Sequence, residues 1–313
     1  MIEFVEKRTQ WFSKPRNMIG LRLLRIALGV MILTRFITEA GYASVYYNSV
    51  TGFALDSQIS GLEQLYTFFF NLPLVPNIFW MIWAAAALSL ILNVKPTLGA
   101  LVALLCFTID SERSVTQDGG DNLARILLFY LLFTRSTFQL PSPGRTSART
   151  YIHNMAALAI YLQVAILYLI SATAKLDGQS WINGTALYYV LQTSGFGPPF
   201  DWMRELVKNA YLVTFGTYAT IVYQVAFPFM LLNRLHFLWV LIGIGMHIGI
   251  ALIMGLLPFG IIMTGAVLYT VRDSEWTHLR NLLRKLVPNL PKPLTPLLRT
   301  LVPAATLDIE ERG

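Results

Sequence analysis

Chemistry in this chain is most plausible where a charge interrupts an apolar stretch. Lys175 ends the run YLQVAILYLISATAK, and LDGQSWINGTALYY follows at once, bringing Asp177, Gly178, Trp181, Gly184 and Tyr188 close behind it. A lone lysine there can anchor a helix at a membrane surface. The small residues and aromatic rings after it fit the closure of a site better. Burial removes the water that stabilises an ammonium, so a lysine so placed becomes usable as a base near neutral pH, for instance toward a phenol or hydroquinone. His247 sits in GIGMHIGIALIMG, where small neighbours let another helix or a ligand come near. Its two readings are an interhelical hydrogen-bonding group and a catalytic residue. Arg35 and Glu39 are four apart, as are Asp121 and Arg125, so each couple shares a helix face and is predicted to pair. Ionisable groups inside apolar spans are costly enough that each is a candidate for function. Arg25, two turns into its run, is predicted to snorkel to the surface. Asp118-Gly119-Gly120-Asp121 reads as a turn with Asp121 as helix N-cap, since it lacks the ligands of a calcium loop. No paired histidines or cysteine cluster point to a metal; Cys106 is the single cysteine.

The elements that must position these residues follow from composition. The 313 residues are 55% hydrophobic and only 13% charged, with a net charge of +7. That excludes a disordered chain and a basic nucleic-acid-binding domain, and predicts a polytopic membrane protein. Eight apolar runs, 18–40, 77–94, 97–110, 122–138, 151–174, 209–232, 235–254 and 257–271, predict an all-α transmembrane bundle of about eight spans. With the N-terminus inside, 18 of the 24 Lys and Arg residues fall on the cytoplasmic side, so both termini are predicted to be cytoplasmic. The expected organisation is a cytoplasmic segment 1–17, a membrane domain 18–271 and a basic cytoplasmic tail 272–313, whose THLRNLLRKLV stretch suits a membrane-surface helix. The segments 41–76 and 175–208 are rich in aromatic residues, and are predicted either to form an interfacial belt or to cover a cavity that opens outward.

The wording of several runs resembles a known family. RIALGVMILTRF, GGDNLARILLFYLLF, AKLDGQSWINGTALYYVLQ and MHIGIALIMGLLPFGIIM, in that order, resemble the HTTM superfamily over about residues 18–271. Its animal member is the vitamin-K-dependent γ-glutamyl carboxylase. The K-L-D-x-x-W-x-x-G element is the most specific part. The resemblance implies that Lys175 is the base toward a quinol, that Leu176, Asp177 and Trp181 are its matching neighbours, and that His247 is the family histidine. It implies a quinone or hydroquinone as cofactor. In size, and in the WINGTALYY wording, the chain looks more like small bacterial members, including the sporulation-delaying protein B family, which assists maturation of a secreted peptide toxin. The basic tail after 271, where the carboxylase has a large lumenal domain, weakens the implication of glutamate carboxylation.

Three functions follow as alternatives. The first is an inner-membrane, multi-pass protein that aids maturation or export of a secreted peptide, with companion maturation proteins. Its outward-facing site would hold Lys175 and His247 as catalytic residues and Asp121, Arg125, Asp177, Trp181, Tyr188, Arg35 and Glu39 as binding residues. The second is a carboxylase-like enzyme using a quinol. The third is a non-enzymatic membrane scaffold whose buried charges hold helices together.

Overall fold

The computed structural model describes residues 14–43, 47, 68–111, 118–136, 148–193, 202, 205 and 207–286. Most of the aromatic segment 41–76, most of residues 1–17 and the tail beyond 286 lie outside these residues. Among those described, the regular structure is entirely helical. Helices α1 (Met18–Glu39), α2 (Val75–Leu92), α3 (Pro96–Ser111), α4 (Gly119–Leu131), α5 (Ala148–Leu176), α8 (Ala210–Met230), α9 (His236–Ile253) and α10 (Leu257–Tyr269) each fall on one of the eight apolar runs. Two short helices, α6 (Gln179–Ile182) and α7 (Ala186–Gln192), follow α5, and α11 (Asp273–Leu286) follows α10.

Four of these helices, α2, α5, α8 and α9, are long and apolar enough to cross a membrane; α3 and α10 are shorter apolar helices. The run 122–138 is helical only to Leu131, and its helix begins earlier, at Gly119. The outward surface is what a lipid environment requires. Ile37, Leu92, Phe215, Leu232 and many other large apolar side chains are exposed.

The core forms around α1, whose Leu21, Leu24, Leu28, Met31 and Ile32 are all fully buried. This helix packs chiefly against α10 and α2, while α5 packs against α8 and α10 against α9. With no water to drive apolar association in a bilayer, close backbone approach and interhelical hydrogen bonds carry the packing. Gly260 of α10 shows the first: a β-carbon there would meet the His247 carbonyl and Ala251 on α9. Elsewhere in the core, Trp80 and Trp83 of α2 stack with ring centroids 5.1 Å apart, and Phe107 of α3 meets Trp83 edge-on at 4.7 Å.

Polar ties fasten one end of the bundle. Arg25 is buried, and its guanidinium donates to Thr134 Oγ1 at 2.8 Å and to the Arg135 carbonyl at 2.9 Å. It therefore does not snorkel to the surface: these acceptors, freed where α4 ends, satisfy it inside. Arg22 donates to the carbonyls of Leu90 and Ile91 at the end of α2. The Arg135 amide donates to His153 Nδ1, while Arg135 Nη1 donates to Thr150, both on α5. The Asp273 carboxylate of α11 accepts from the Ile19 amide in the first turn of α1. Burial pushes the Asp273 carboxyl above the usual carboxylate range, against the pull of those amides. Since Arg25, the end of α4 and the start of α5 meet here, the chain passes back and forth between the two ends of the bundle.

Replacing Arg25 with Met should strand two buried acceptors and cost about 1–3 kcal/mol. A lower thermal midpoint in detergent is the expected result, and an unchanged midpoint would show that this tie is idle.

Candidate functional site

At the opposite end of the bundle two groups of charged and polar side chains stand out. The first surrounds Arg35, a residue only 3% exposed. Its Nη2 lies 2.9 Å from Glu39 Oε2 and 3.0 Å from Asp110 Oδ2, and its Nη1 lies 3.4 Å from Asp121 Oδ1. Nε donates to both Glu39 oxygens at 3.2 Å. One guanidinium thus joins α1, α3 and α4. Trp83 lies beneath it, 5.2 Å from Cζ to the ring centroid, adding cation–π attraction in a desolvated place. The Tyr47 hydroxyl donates to Asp110 at 2.6 Å.

The predicted Arg35–Glu39 pair is present, but Asp121 and Arg125 do not form an ion pair. Asp121 faces inward to Arg35, while Arg125 donates to Asn122 on its own helix. A buried carboxylate is costly without a buried cation, so Arg35 takes it in preference to a partner half in the open. Nor is Asp121 the N-cap. Asp118 is: its Oδ1 accepts from the Gly120 and Asp121 amides at 2.6 and 3.1 Å, and Asp121 Oδ2 reciprocates by accepting from the Asp118 amide. This capping box leaves the other Asp121 oxygen for Arg35. Asp110 was missed by pairing arguments, although a carboxylate closing the apolar run GALVALLCFTID carries the same signal as Lys175.

The second group lines a cavity of about 340 Å³ among α4, α5, α6, α7, α8, α9 and α10. Lys175, in the last turn of α5, is held by its own helix: Nζ donates to Ser171 Oγ at 2.8 Å and lies 5.1 Å from the Trp181 ring centroid. Trp181 reaches that position because the chain turns at Asp177-Gly178 and starts α6. Gly184, with φ of 72°, then turns the chain into α7, and a β-carbon there would meet the rings and methyls of Tyr218 and Thr214 on α8. Among the described residues Lys175 forms no ion pair. On the cavity's far side His247 of α9, 2% exposed, shares a 2.6 Å hydrogen bond through Nε2 with the Tyr168 hydroxyl of α5. Among the described residues its Nδ1 has no hydrogen-bond partner, and neither does Oε1 of the buried Gln224 on α8. Both residues line the cavity.

So three predicted residues, Lys175, Trp181 and His247, meet in one cavity, although they come from separate stretches. Arg35, Glu39 and Asp121 belong to the ion cluster. Asp177 and Tyr188 are exposed and do not line the cavity, and Arg125 belongs to neither group. Tyr168, Ser171 and Gln224 went unseen. Gln224 was detectable as a polar residue inside AYLVTFGTYATIVYQVAFPFM, but a tyrosine in an apolar run reads as membrane-interface decoration. Among the described residues no group of three or more His, Cys, Asp or Glu side chains could hold a metal ion.

Comparison with known proteins sets this arrangement in a family. Over 223 residues, 66% of this chain and 72% of the relative, the sequence is 30% identical to the uncharacterized protein YitO of Bacillus subtilis (strain 168). The chain belongs to the YitO family. It is also 27% identical over 176 residues to the sporulation-delaying protein SdpB of the same organism, a match that covers 52% of this chain and 54% of SdpB. The YitO family is thus related to SdpB-like proteins, and the chain spans about half the length of SdpB. No protein-family model matches the sequence. No solved structure matches either.

Removing the shared cation should be costly. Arg35→Met is expected to lose on the order of 3–5 kcal/mol by leaving buried carboxylates unpaired. Adding Asp110→Asn should restore part of the loss. Melting of the purified single and double variants measures both, and additive losses would contradict the shared-cation arrangement.

Proposed function

We propose that this chain is a multi-pass protein of the cell inner membrane that aids maturation or export of a secreted peptide, acting through an outward-facing cavity around Lys175. The membrane helices and the relation to SdpB support a membrane protein in a sporulation-delaying-toxin-like system. The finer reading adds about eight crossings, both termini in the cytoplasm, and a membrane domain of the HTTM type over residues 18–271 between the segments 1–17 and 272–313. A helix on every apolar run, with the chain passing back and forth, favours it. So does the bias of Lys and Arg toward one side. That bias leaves the Lys175 end of the bundle facing outward.

One observation carries the choice of site. Lys175 is a cation without a carboxylate partner among the described residues, beside a largely apolar cavity, whereas Arg35 at the same end is held by three carboxylates. In this reading Arg35, Glu39 and Asp121 fasten helices, and Lys175, Trp181 and His247 meet the substrate. Companion maturation proteins would act from the same outer face. Asp177 and Tyr188 lie near enough in sequence to Lys175 and Leu187 to border the entrance, and Arg125, outside the cavity, has no part in it.

The enzymatic alternative draws on the same cavity. Its largely apolar walls, with Lys175, His247 and Gln224 among its polar groups, suit a quinol ring. A quinol would supply reducing power when bound. Lys175 would take its phenolic proton.

Lys175→Ala in a strain that makes the peptide product separates the roles. With normal amounts of the protein in the membrane, mature peptide should fall to the level of a strain lacking the protein. Full production would remove Lys175 from the function. A parallel fall of protein level and product in Lys175→Met would instead mark a scaffold.

A further inference from the structure

A second cavity adjoins the first. About 350 Å³ in volume, it opens between α8 and α9 and is lined by Trp202, Val207, Gly216, Gly245, Gly249 and Ile253, among other apolar residues. Leu187, Thr220, Ile250 and Met254 line both cavities, so the two lie side by side, one holding Lys175, Gln224 and His247 and the other facing the gap between helices. The missing side chains of Gly245 and Gly249 leave that second compartment open: a β-carbon at either position would meet nothing within 4 Å.

The chemistry of the occupant can be read from the polar compartment. Lys175 asks for an anion. Among the described residues Gln224 Oε1, in a residue 8% exposed, lacks a donor, and His247 Nδ1, in a residue 2% exposed, lacks a partner of either kind. A buried acceptor without a donor costs free energy that a ligand can recover by supplying one. A fatty-acid carboxylate would neutralise Lys175 but brings no donor for Gln224. A peptide C-terminus brings a carboxylate, backbone N–H donors and C=O acceptors, and apolar side chains for the second compartment.

We infer that the two compartments form one site for the C-terminal end of an apolar peptide. Its terminal carboxylate lies at Lys175, its last amides face Gln224 and His247, and its last apolar side chains enter the space between α8 and α9. This rests on the peptide reading above and names which part of the peptide is held.

The test uses the full-length protein in nanodiscs, with empty nanodiscs subtracted. Fluorescence anisotropy would compare an amino-terminally labelled hexapeptide of alternating alanine and leucine, ending in a free carboxylate, with its C-terminal amide, using oleate as competitor. The acid should bind about tenfold or more tighter than the amide, the worth of a charge-assisted hydrogen bond. Lys175→Met should bring the acid down to the level of the amide, while Lys175→Arg keeps the preference. Gly249→Leu, which fills the apolar compartment, should weaken both peptides equally. Equal binding of acid and amide to the unmodified protein would overturn the assignment of the terminus and leave the peptide reading standing. Displacement by oleate, with oleate binding at least as tightly through Lys175, would give the site to a lipid carboxylate and overturn the inference. Binding of neither peptide would overturn the inference and the peptide reading together.

Discussion

The Arg35 guanidinium holds carboxylates from α1, α3 and α4 at once, in a place with almost no access to water. Such a cluster is costly to assemble, because each ion gives up its hydration, and costlier to break, because breaking it leaves a bare charge behind. Its consequence is geometric. The first turn of α4 cannot move without Asp121, and Asp121 is tied both to Arg35 and to the capping box at Asp118. Gly119, the first residue of that helix, lines the Lys175 cavity. The ion cluster therefore fixes one wall of the candidate site without contributing a charge to it.

The other end of the bundle is fastened in a different way. Arg22, Arg25 and Arg135 there donate to carbonyls and hydroxyls left over where helices end. Helix ends in an apolar setting need partners for these groups, and long cationic side chains supply them without a matching anion. The two ends thus differ in what their charges satisfy: carboxylates at one, backbone at the other. Lys175 belongs to neither scheme. Among the described residues it bonds within its own turn, to Ser171, and leans over Trp181.

Much of the helix layout was legible in the sequence, because an apolar run of membrane length has few other uses, and each of the eight runs carries a helix. The site was legible in part, and the pattern of success has a physical cause. Lys175 and His247 were readable because a charge or an imidazole in an apolar run stands out regardless of what surrounds it. Pairing was less readable. Spacing of four along a helix says which residues share a face, and this held for Arg35 and Glu39. For Asp121 and Arg125 a partner on another helix won, and helix-to-helix register is not written in local spacing. Arg25 failed for the same reason: the acceptors that hold it sit 109 and 110 residues further along. The cavity's remaining polar groups, Tyr168 and Gln224, gain meaning only beside His247, which packing alone brings near.

In the proposed reading the Lys175 end of the bundle holds an accessible cavity on the outer side of the membrane. Cys106 is the single cysteine and is buried, so a Cys106→Ser background permits placement of one reporter thiol. Lys175→Cys should react with a membrane-impermeant maleimide added to intact cells, whereas Arg149→Cys, at the opposite end of the same helix, should react only after the cells are opened. Labelling of Arg149→Cys in intact cells, with Lys175→Cys silent until they are opened, would contradict the account.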